Sequence, residues 1–188
     1  MHFFYTQHVN ADTYELTKEE SKHCCMVLRK KQGDAIYLVD GKGTFFVTEI
    51  LDDNPKKTSV KIIEKVKNYK KRNYDLHLAI APTKNISRFE WFLEKATEIG
   101  IDEITPIISN RSERKHLNLE RMNKILISAM KQSLKAHLPK INECIKFKDF
   151  IAKCNCQRKL IAYCGETEKT PLQKKIKINE NSCILIGP

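Results

Sequence analysis

Residues 76–108 have the sequence LHLAIAPTKNISRFEWFLEKATEIGIDEITPII. The apolar runs at its two ends are typical of buried strands, and the roughly 3.6-residue spacing of apolar side chains between them predicts a helix. Ser87 is the predicted N-cap and Gly100 the predicted stop. The face of this helix that we expect to be buried carries Phe89, Phe92, Leu93, Ala96 and Ile99. A strand, a helix and a second strand with short connections indicate a parallel sheet covered by helices.

The same alternation continues to the end of the sequence. A second helix is predicted from Asn118 to a stop at Pro139, and further apolar strands are predicted at residues 159–163 and 183–186. In open parallel α/β sheets, ligands bind just past the carboxyl ends of the strands. We therefore expect Gly187-Pro188 to open a ligand-binding loop that continues beyond residue 188.

The first part of the sequence has a different pattern, with short strands joined by tight turns. Strands are predicted at Phe3–Tyr5, Ala35–Val39, Thr44–Ile50 and, facing an edge, Ser59–Ile63. Thr17 and Glu20 form a capping-box pattern that predicts one helix, and residues 40–43 (DGKG) predict a hairpin. This pattern favours a small β-barrel. The basic segment 65–72 predicts a solvated linker that can also contact RNA phosphates, which divides the chain into residues 1–70 and 71–188.

Composition limits the possible partners. The net charge is +11 over 188 residues, which favours a polyanionic partner, nucleic acid before an anionic membrane. No run approaches the roughly 20 apolar residues of a membrane helix, and the N-terminus has no signal-peptide pattern. The seven cysteines have no regular spacing, which favours reduced structural thiols in the cytoplasm. The scattered histidines have no metal-ligand spacing, so no metal is predicted.

Basic side chains follow several of the predicted strands and helices. Because the loops at the carboxyl ends of parallel strands share one edge of a sheet, these charges are candidates for phosphate contact; as single residues they fit a solvated surface equally well. They are Lys84, Arg111, Arg114, Lys115, Lys131, Lys135 and His137. No glycine-rich phosphate loop, nucleophile elbow or zinc-protease motif accompanies them, and the residue pattern by itself specifies no reaction.

Several ordered motifs make the chain resemble a known family. They are residues 94–101 (EKATEIGI) with 104–106 (ITP) and 110–112 (NRS), His23 with 27–29 (VLR), Gln132-Ser133 with Leu138-Pro139, and residues 185–188 (LIGP). Together they resemble the ribosomal small-subunit RNA (uracil-N3)-methyltransferases, and the resemblance covers nearly the whole chain.

The resemblance implies a fold and an activity. The expected fold is an N-terminal PUA-like barrel and a C-terminal SPOUT α/β domain with a trefoil knot, in a cytoplasmic homodimer without membrane association. The expected reaction transfers a methyl group from S-adenosylmethionine to N3 of a uridine in 16S ribosomal RNA near the decoding site of the small ribosomal subunit. Arg111 is the candidate catalytic residue. The candidate cofactor residues are Tyr163, Cys164, Gly165, Leu185, Ile186, Gly187 and Pro188, and the candidate RNA-binding residues are Arg29, Lys30, Lys31, Lys84, Arg114 and Lys135.

The sequence also departs from the family pattern. Family members continue after Gly187-Pro188 with a Glu-Gly-Gly loop and a later segment that closes the knot, so the SPOUT domain is expected to be truncated here. Lys135 occupies a position where members often carry Arg, and the loop at residues 164–166 differs from the family's usual turn. Two alternatives stay open: a non-catalytic RNA-binding protein with a degenerate α/β domain, and a small-molecule α/β enzyme whose basic edge binds a phosphorylated metabolite.

Overall fold

The computed structural model describes all residues except His8, Asn10, Thr167, Ile178 and Pro188. The chain forms two compact units. Unit 1 comprises residues 1–71 and 130–138, and unit 2 comprises residues 72–129 and 139–188. The predicted contribution of Pro188 to a ligand site lies outside the described residues.

Unit 1 is built on a five-stranded mixed sheet that forms a half-barrel, in agreement with the predicted β-rich first part. Its strands are β1 (Phe3–Tyr5), β2 (Thr13–Glu15), β3 (Ala35–Val39), β4 (Phe45–Asp52) and β5 (Ser59–Val66), in the order β1-β3-β4-β5-β2. The β1–β3 pair is parallel and the other pairs are antiparallel. The predicted hairpin joins β3 to β4, where Asp40 Oδ1 accepts hydrogen bonds from the amides of Lys42 and Thr44, both at 2.8 Å.

Two expectations for unit 1 need correction. The strand β5 is interior, because β2, which the sequence pattern did not reveal, pairs with it through Tyr14 and Val60. The basic segment 65–72, which overlaps the end of β5, is not simply a solvated linker. Lys65 belongs to β5, and the ring of Tyr69 stacks on Phe45 with centroids 4.6 Å apart. Apolar packing therefore fixes a segment whose composition suggested full hydration.

The predicted helix of unit 1 is short and irregular. Helix α1 (Lys18–Lys22) begins at the predicted N-cap, where Thr17 Oγ1 accepts from the amide of Glu20 at 3.3 Å. A π-helical turn, His23–Val27, follows and buries Cys24 and Cys25 against the sheet. Arg29 then has a positive φ of 55°, and the amide of Lys30 bonds the carbonyl of Cys24 at 3.1 Å.

A segment distant in sequence completes unit 1. Met130 and Ala136 are buried with Phe3, Val39 and Phe45. The carbonyl of Ala136 accepts from the amide of Gly43 at 2.9 Å. Gly43 has a φ of 95°, and a Cβ at this position would lie 2.3 Å from the His137 ring. Only glycine fits both the backbone conformation and the close approach.

Unit 2 contains the predicted parallel sheet. Its strand order is β10-β11-β6-β7-β8, with β9 also paired to β7, and every recorded pair is parallel. The strands are β6 (Leu76–Ile80), β7 (Glu103–Ile108), β8 (Lys140–Ile141), β9 (Ile145–Lys146), β10 (Arg158–Ala162) and β11 (Ser182–Ile186). The last strand, β11, is interior, as predicted. The strand β10 is at the edge, and Ile161 is exposed there.

The helices of unit 2 agree with the predicted periodicity but differ in detail. They are α2 (Ile86–Ile99), α3 (Leu119–Gln132, whose last residues belong to unit 1), α4 (Phe147–Lys153) and α5 (Leu172–Lys175). Helix α2 is capped by Asn85, not Ser87, because Asn85 Oδ1 accepts from the amide of Ser87 at 3.0 Å. Phe89, Leu93 and Ala96 are buried as predicted, whereas Ile99, in the last turn before Gly100, is 79% exposed. No helix among the described residues is long and apolar enough to cross a membrane.

Candidate functional site

The carboxyl edge of the parallel sheet brings together most of the predicted cofactor residues. In register, Ala162 of β10 pairs with Ile186 of β11, which pairs with Ile80 of β6. The chain continues from these ends as Tyr163–Gly165 and Gly187, so the two predicted segments are neighbours. Leu185 is different, because its side chain is buried in the core between the sheet and α4. Only the backbone of Leu185 can take part in a ligand site.

The two glycines at this edge have different surroundings. A Cβ built on Gly187 meets no atom of another described residue within 4 Å, chain neighbours aside, so the described residues leave the backbone open on that side. A Cβ on Gly165 would lie 2.0 Å from Tyr163 Oη, so the Tyr163 side chain covers Gly165. Tyr163 is itself 57% exposed. An open backbone beside an exposed aromatic ring suits a flat, partly apolar ligand group such as adenine.

Two loops at the carboxyl edge are connected by basic side chains. Arg114, in the loop after β7, donates to the carbonyls of Thr83 (3.3 Å) and Lys84 (2.8 Å) in the loop after β6. Lys84 Nζ pairs with Glu113 at 2.9 Å. These loops line a cavity of about 340 Å³ formed by Lys84, Glu113, Arg114, Lys115 and His116. The predicted convergence of basic residues thus occurs in unit 2 for the loops after β6 and β7.

Arg111, the predicted catalytic residue, lies in a tight turn directly after β7. The amide of Ser112 bonds the carbonyl of Ser109 at 3.1 Å, and the Ser112 hydroxyl accepts from the amide of Ser109 at 2.9 Å. Buried Ser112 anchors the turn, while the Arg111 side chain is exposed. Among the described residues no acidic side chain pairs with Arg111, so its guanidinium is available to a ligand.

The remaining predicted RNA-binding residues belong to unit 1. Lys31 pairs with Asp53 at 3.2 Å, and Lys30 lies 4.0 Å from Asp34. Arg29 is exposed and has no acidic partner among the described residues. Lys135 belongs to the segment of unit 1 that follows α3, where its amide bonds the carbonyl of Met130 at 3.1 Å. Lys131, one turn earlier, pairs with Glu20 at 2.7 Å.

The opposite, amino edge of the same sheet has a larger cavity, of about 870 Å³, which sequence reasoning missed. His77 lies at its wall, with Nε2 2.8 Å from Thr105 Oγ1, in agreement with its interpretation as a core histidine with a hydrogen-bond partner. Burial lowers the pKa of His77. Beside it are Cys154, Cys156 and Cys183; burial and the neighbouring thiols raise the pKa of Cys156 to about 11. Cys183 and His77 are distant in sequence from Cys154 and Cys156, so only the strand register could have revealed this cluster.

Comparison with known proteins agrees with this fold. The family described as RNA methyltransferase domain matches residues 70–188, and the RNA methyltransferase PUA domain matches residues 16–63. The chain belongs to the RNA methyltransferase family. The predicted family and the predicted two-part fold are thereby confirmed, while the trefoil knot stays a prediction.

Individual relatives carry more specific names. The ribosomal RNA small subunit methyltransferase E of Rickettsia conorii is 31% identical in an alignment of 168 residues that covers 86% of this chain and 66% of the relative. The Mesomycoplasma hyopneumoniae protein of the same name is 29% identical over 197 residues, covering 100% of this chain and 81% of the relative. The chain thus spans between about two thirds and four fifths of the length of these relatives.

Solved structures give the same result. A probable rRNA-methyltransferase from Porphyromonas gingivalis superposes with a TM-score of 0.92 at 37% identity, covering 100% of this chain and 80% of that protein. A ribosomal RNA small subunit methyltransferase E from Neisseria gonorrhoeae, bound to S-adenosyl methionine, superposes with a TM-score of 0.85 at 23% identity, covering 99% and 78%. The second likeness shows the fold.

Proposed function

We propose that this protein uses S-adenosylmethionine to methylate N3 of a uridine in 16S ribosomal RNA, near the decoding site of the small ribosomal subunit. Residues 71–188 act as the catalytic unit, and residues 1–70 act as an RNA-binding module. The observation that carries the proposal is the register of β10, β11 and β6, which places Tyr163–Gly165 and Gly187 side by side at the edge where ligands of parallel sheets bind.

The residues at the carboxyl edge fit this cofactor. Gly187 offers open backbone, and Tyr163 offers an exposed aromatic ring beside it. When bound, S-adenosylmethionine supplies a methyl group attached to a positively charged sulfur. The task of the protein is to hold donor and acceptor in line, because proximity and orientation lower the barrier of such a displacement.

The chemistry of uridine assigns a role to Arg111. N3 of uridine carries a proton and is a poor nucleophile until that proton leaves, so negative charge develops on O2 and O4. A fixed cation near those oxygens stabilises the charge and favours loss of the proton. The exposed guanidinium of Arg111, on its anchored turn after β7, is the group we assign to this role.

Phosphate contacts complete the proposed substrate complex. Lys84 and Arg114 lie in the loops after β6 and β7, and Arg29, Lys30, Lys31 and Lys135 lie in unit 1. Their charges position the RNA without reading its bases. The target uridine must leave its base stack to be reached. Because the substrate is ribosomal, we place the protein in the cytoplasm. The family resemblance implies a homodimer, for which light scattering should give twice the mass of the monomer.

The test is methyl transfer to small ribosomal subunits from a strain that lacks the corresponding methylation. The protein is incubated with these subunits and S-adenosylmethionine that carries a labelled methyl group. Mass spectrometry of nuclease-digested 16S RNA should find N3-methyluridine at one position. Binding of the subunit without transfer of label would favour a non-catalytic RNA-binding protein. Label on another atom or another RNA would disprove the proposed substrate.

A further inference from the structure

Three thiols and one imidazole meet at the amino edge of the unit 2 sheet, away from the proposed methyl-transfer site. The sulfurs of Cys156 and Cys183 and a ring nitrogen of His77 lie within 4.8 Å of one another. Cys154 belongs to the same buried cluster as Cys183, and Cys156 packs against this cluster. Cys154 and Cys183 are buried, and Cys156 is half-buried.

Two of these residues lie in strands, and the other two lie between the end of α4 and the start of β10. Cys183 of β11 and His77 of β6 are register partners, so their side chains leave the sheet on the same face. Cys154 ends helix α4, where its amide bonds the carbonyl of Phe150 at 2.9 Å. Cys156 lies two residues before β10, the strand that pairs with β11. Groups supported by strands and a helix terminus keep their mutual distances better than groups on free loops.

The donor set determines which ion would bind. Three thiolates and one imidazole form a set that tetrahedral Zn²⁺ prefers, whereas Mg²⁺ and Ca²⁺ require oxygen ligands. We propose that Cys154, Cys156, Cys183 and His77 form a zinc site that fastens the amino ends of β10, β11 and β6 and the end of α4. The described surroundings support it, because Thr105 Oγ1 bonds the His77 ring at 2.8 Å and so fixes its orientation.

Metal binding requires the ligand atoms to move closer together than they are in this structure. With a zinc–sulfur distance of about 2.3 Å, two thiolates of a tetrahedral site are roughly 3.8 Å apart. The Cys156 and Cys183 sulfurs and the His77 nitrogen, all within 4.8 Å of one another, therefore have to approach by at most roughly 1 Å, and the Cys154 sulfur, which is outside this group of three, has to move further. Cys156 is the residue that can move, because it precedes β10 and is half-buried, whereas Cys183 is inside a central strand. The competing outcome for such close thiols is a disulfide, which would use two of the three sulfurs and exclude the metal.

The experiment uses the whole chain, purified under reducing conditions and freed of metal with a chelator. Zinc affinity is measured by competition with a coloured chelator, and bound Co²⁺ reports the ligands through its thiolate charge-transfer and tetrahedral visible bands. We expect about one ion per chain and a spectrum of thiolate-rich tetrahedral coordination. Cys156→Ser should weaken zinc binding by about 100-fold or more, because loss of a ligand exceeds the effect of losing an outer partner.

Two further variants make the result specific. Cys144→Ser is the matched control, because Cys144 lines the same cavity but is not part of the cluster, so zinc affinity should not change. Cys156→His replaces one zinc ligand by another and should recover most of the binding that Cys156→Ser loses. This recovery separates loss of a ligand from loss of the fold.

Several results would overturn the assignment. Absence of tetrahedral cobalt bands in the reduced wild-type chain, or equal zinc affinity of wild type and Cys156→Ser, would disprove the zinc site. Loss of two titratable thiols on exposure to air in wild type, with no zinc bound under reducing conditions, would identify a disulfide pair in its place.

Discussion

The two edges of the unit 2 sheet differ in what they offer a ligand. The carboxyl edge carries Gly187 directly after β11 and the basic loops after β6 and β7. The amino edge has the larger cavity and a buried cluster of thiols with one imidazole. The largest cavity is often taken as the first candidate for an active site. Here we propose methyl transfer at the carboxyl edge, because strand ends and family membership both favour it, whereas cavity size alone would have favoured the amino edge.

The largest expected effect comes from adding a side chain at the carboxyl edge, which tests whether the cofactor binds there. Gly187→Val should weaken S-adenosylmethionine binding by about 100-fold or more, measured by calorimetry on the whole protein. A Cβ at Gly187 would meet no atom of another described residue within 4 Å, chain neighbours aside, so the substitution should not disturb the packing of these residues. Thermal unfolding should accordingly remain cooperative, with little change in Tm.

A control for this substitution comes from the other edge. Cys144→Ser changes the wall of the larger cavity and should leave cofactor affinity unchanged. If Gly187→Val bound S-adenosylmethionine as wild type does, or if Cys144→Ser abolished binding, the cofactor would not bind at the carboxyl edge as proposed.

A second substitution tests the chemistry at the carboxyl edge. Arg111→Ala should lower the turnover of methyl transfer by about 100-fold, because one fixed charge that stabilises a developing anion contributes roughly that factor. Cofactor affinity should be unaffected. Lys153→Ala removes an exposed cation from the wall of the amino-edge cavity and serves as the matched control. Equal losses of turnover in the two variants would show that overall charge matters and that Arg111 has no specific role.

The smallest expected effect concerns RNA binding by unit 1. Arg29 has a φ of 55°, which glycine adopts without strain, so Arg29→Gly should maintain or slightly raise stability while removing the charge. Affinity for a small-subunit RNA fragment should fall by about tenfold, and the slope of log K against log salt concentration should decrease in magnitude by about 1.

The stability and salt measurements for Arg29→Gly have a clear interpretation. A weaker RNA complex formed by a chain of unchanged or higher Tm cannot arise from partial unfolding. An unchanged affinity and salt slope would exclude Arg29 from the RNA interface. Lys31→Ala is a useful comparison, because Lys31 already pairs with Asp53 at 3.2 Å and should contribute less to phosphate binding.

The sequence predicted well those features that depend on neighbouring residues. The capping of α1 by Thr17, the hairpin at residues 40–43 and the end of α2 at Gly100 are short-range hydrogen-bond and backbone effects, and all three are confirmed. The sequence predicted Ser87 as the N-cap of α2, whereas the cap is Asn85, two residues earlier. The error arose because both side chains can accept a hydrogen bond from a backbone amide at the start of a helix. Ile99 was misplaced because apolar periodicity does not reveal where burial ends near the last turn of a helix.

Features that depend on distant residues were harder to predict. The strand β2 was missed because its three residues carry little pattern of their own and are held by pairing with β5. The place of Met130–Leu138 in unit 1 depends on contacts with Phe3, Val39 and Phe45, far away in sequence. The candidate carboxyl-edge residues were found because strand ends follow directly from the alternation of strands and helices.

The sequence by itself determined the family, through the resemblance of its ordered motifs, and it determined the two-part organisation, the basic charge and the residues that follow each strand, because composition and local periodicity encode these three features. Only the tertiary structure decided which strand ends are neighbours, and that Cys156, Cys183 and His77 lie close together with Cys154 in the same buried cluster. The physical reason is that strand order and register arise from long-range hydrogen bonding and burial. No local spacing of residues specifies them.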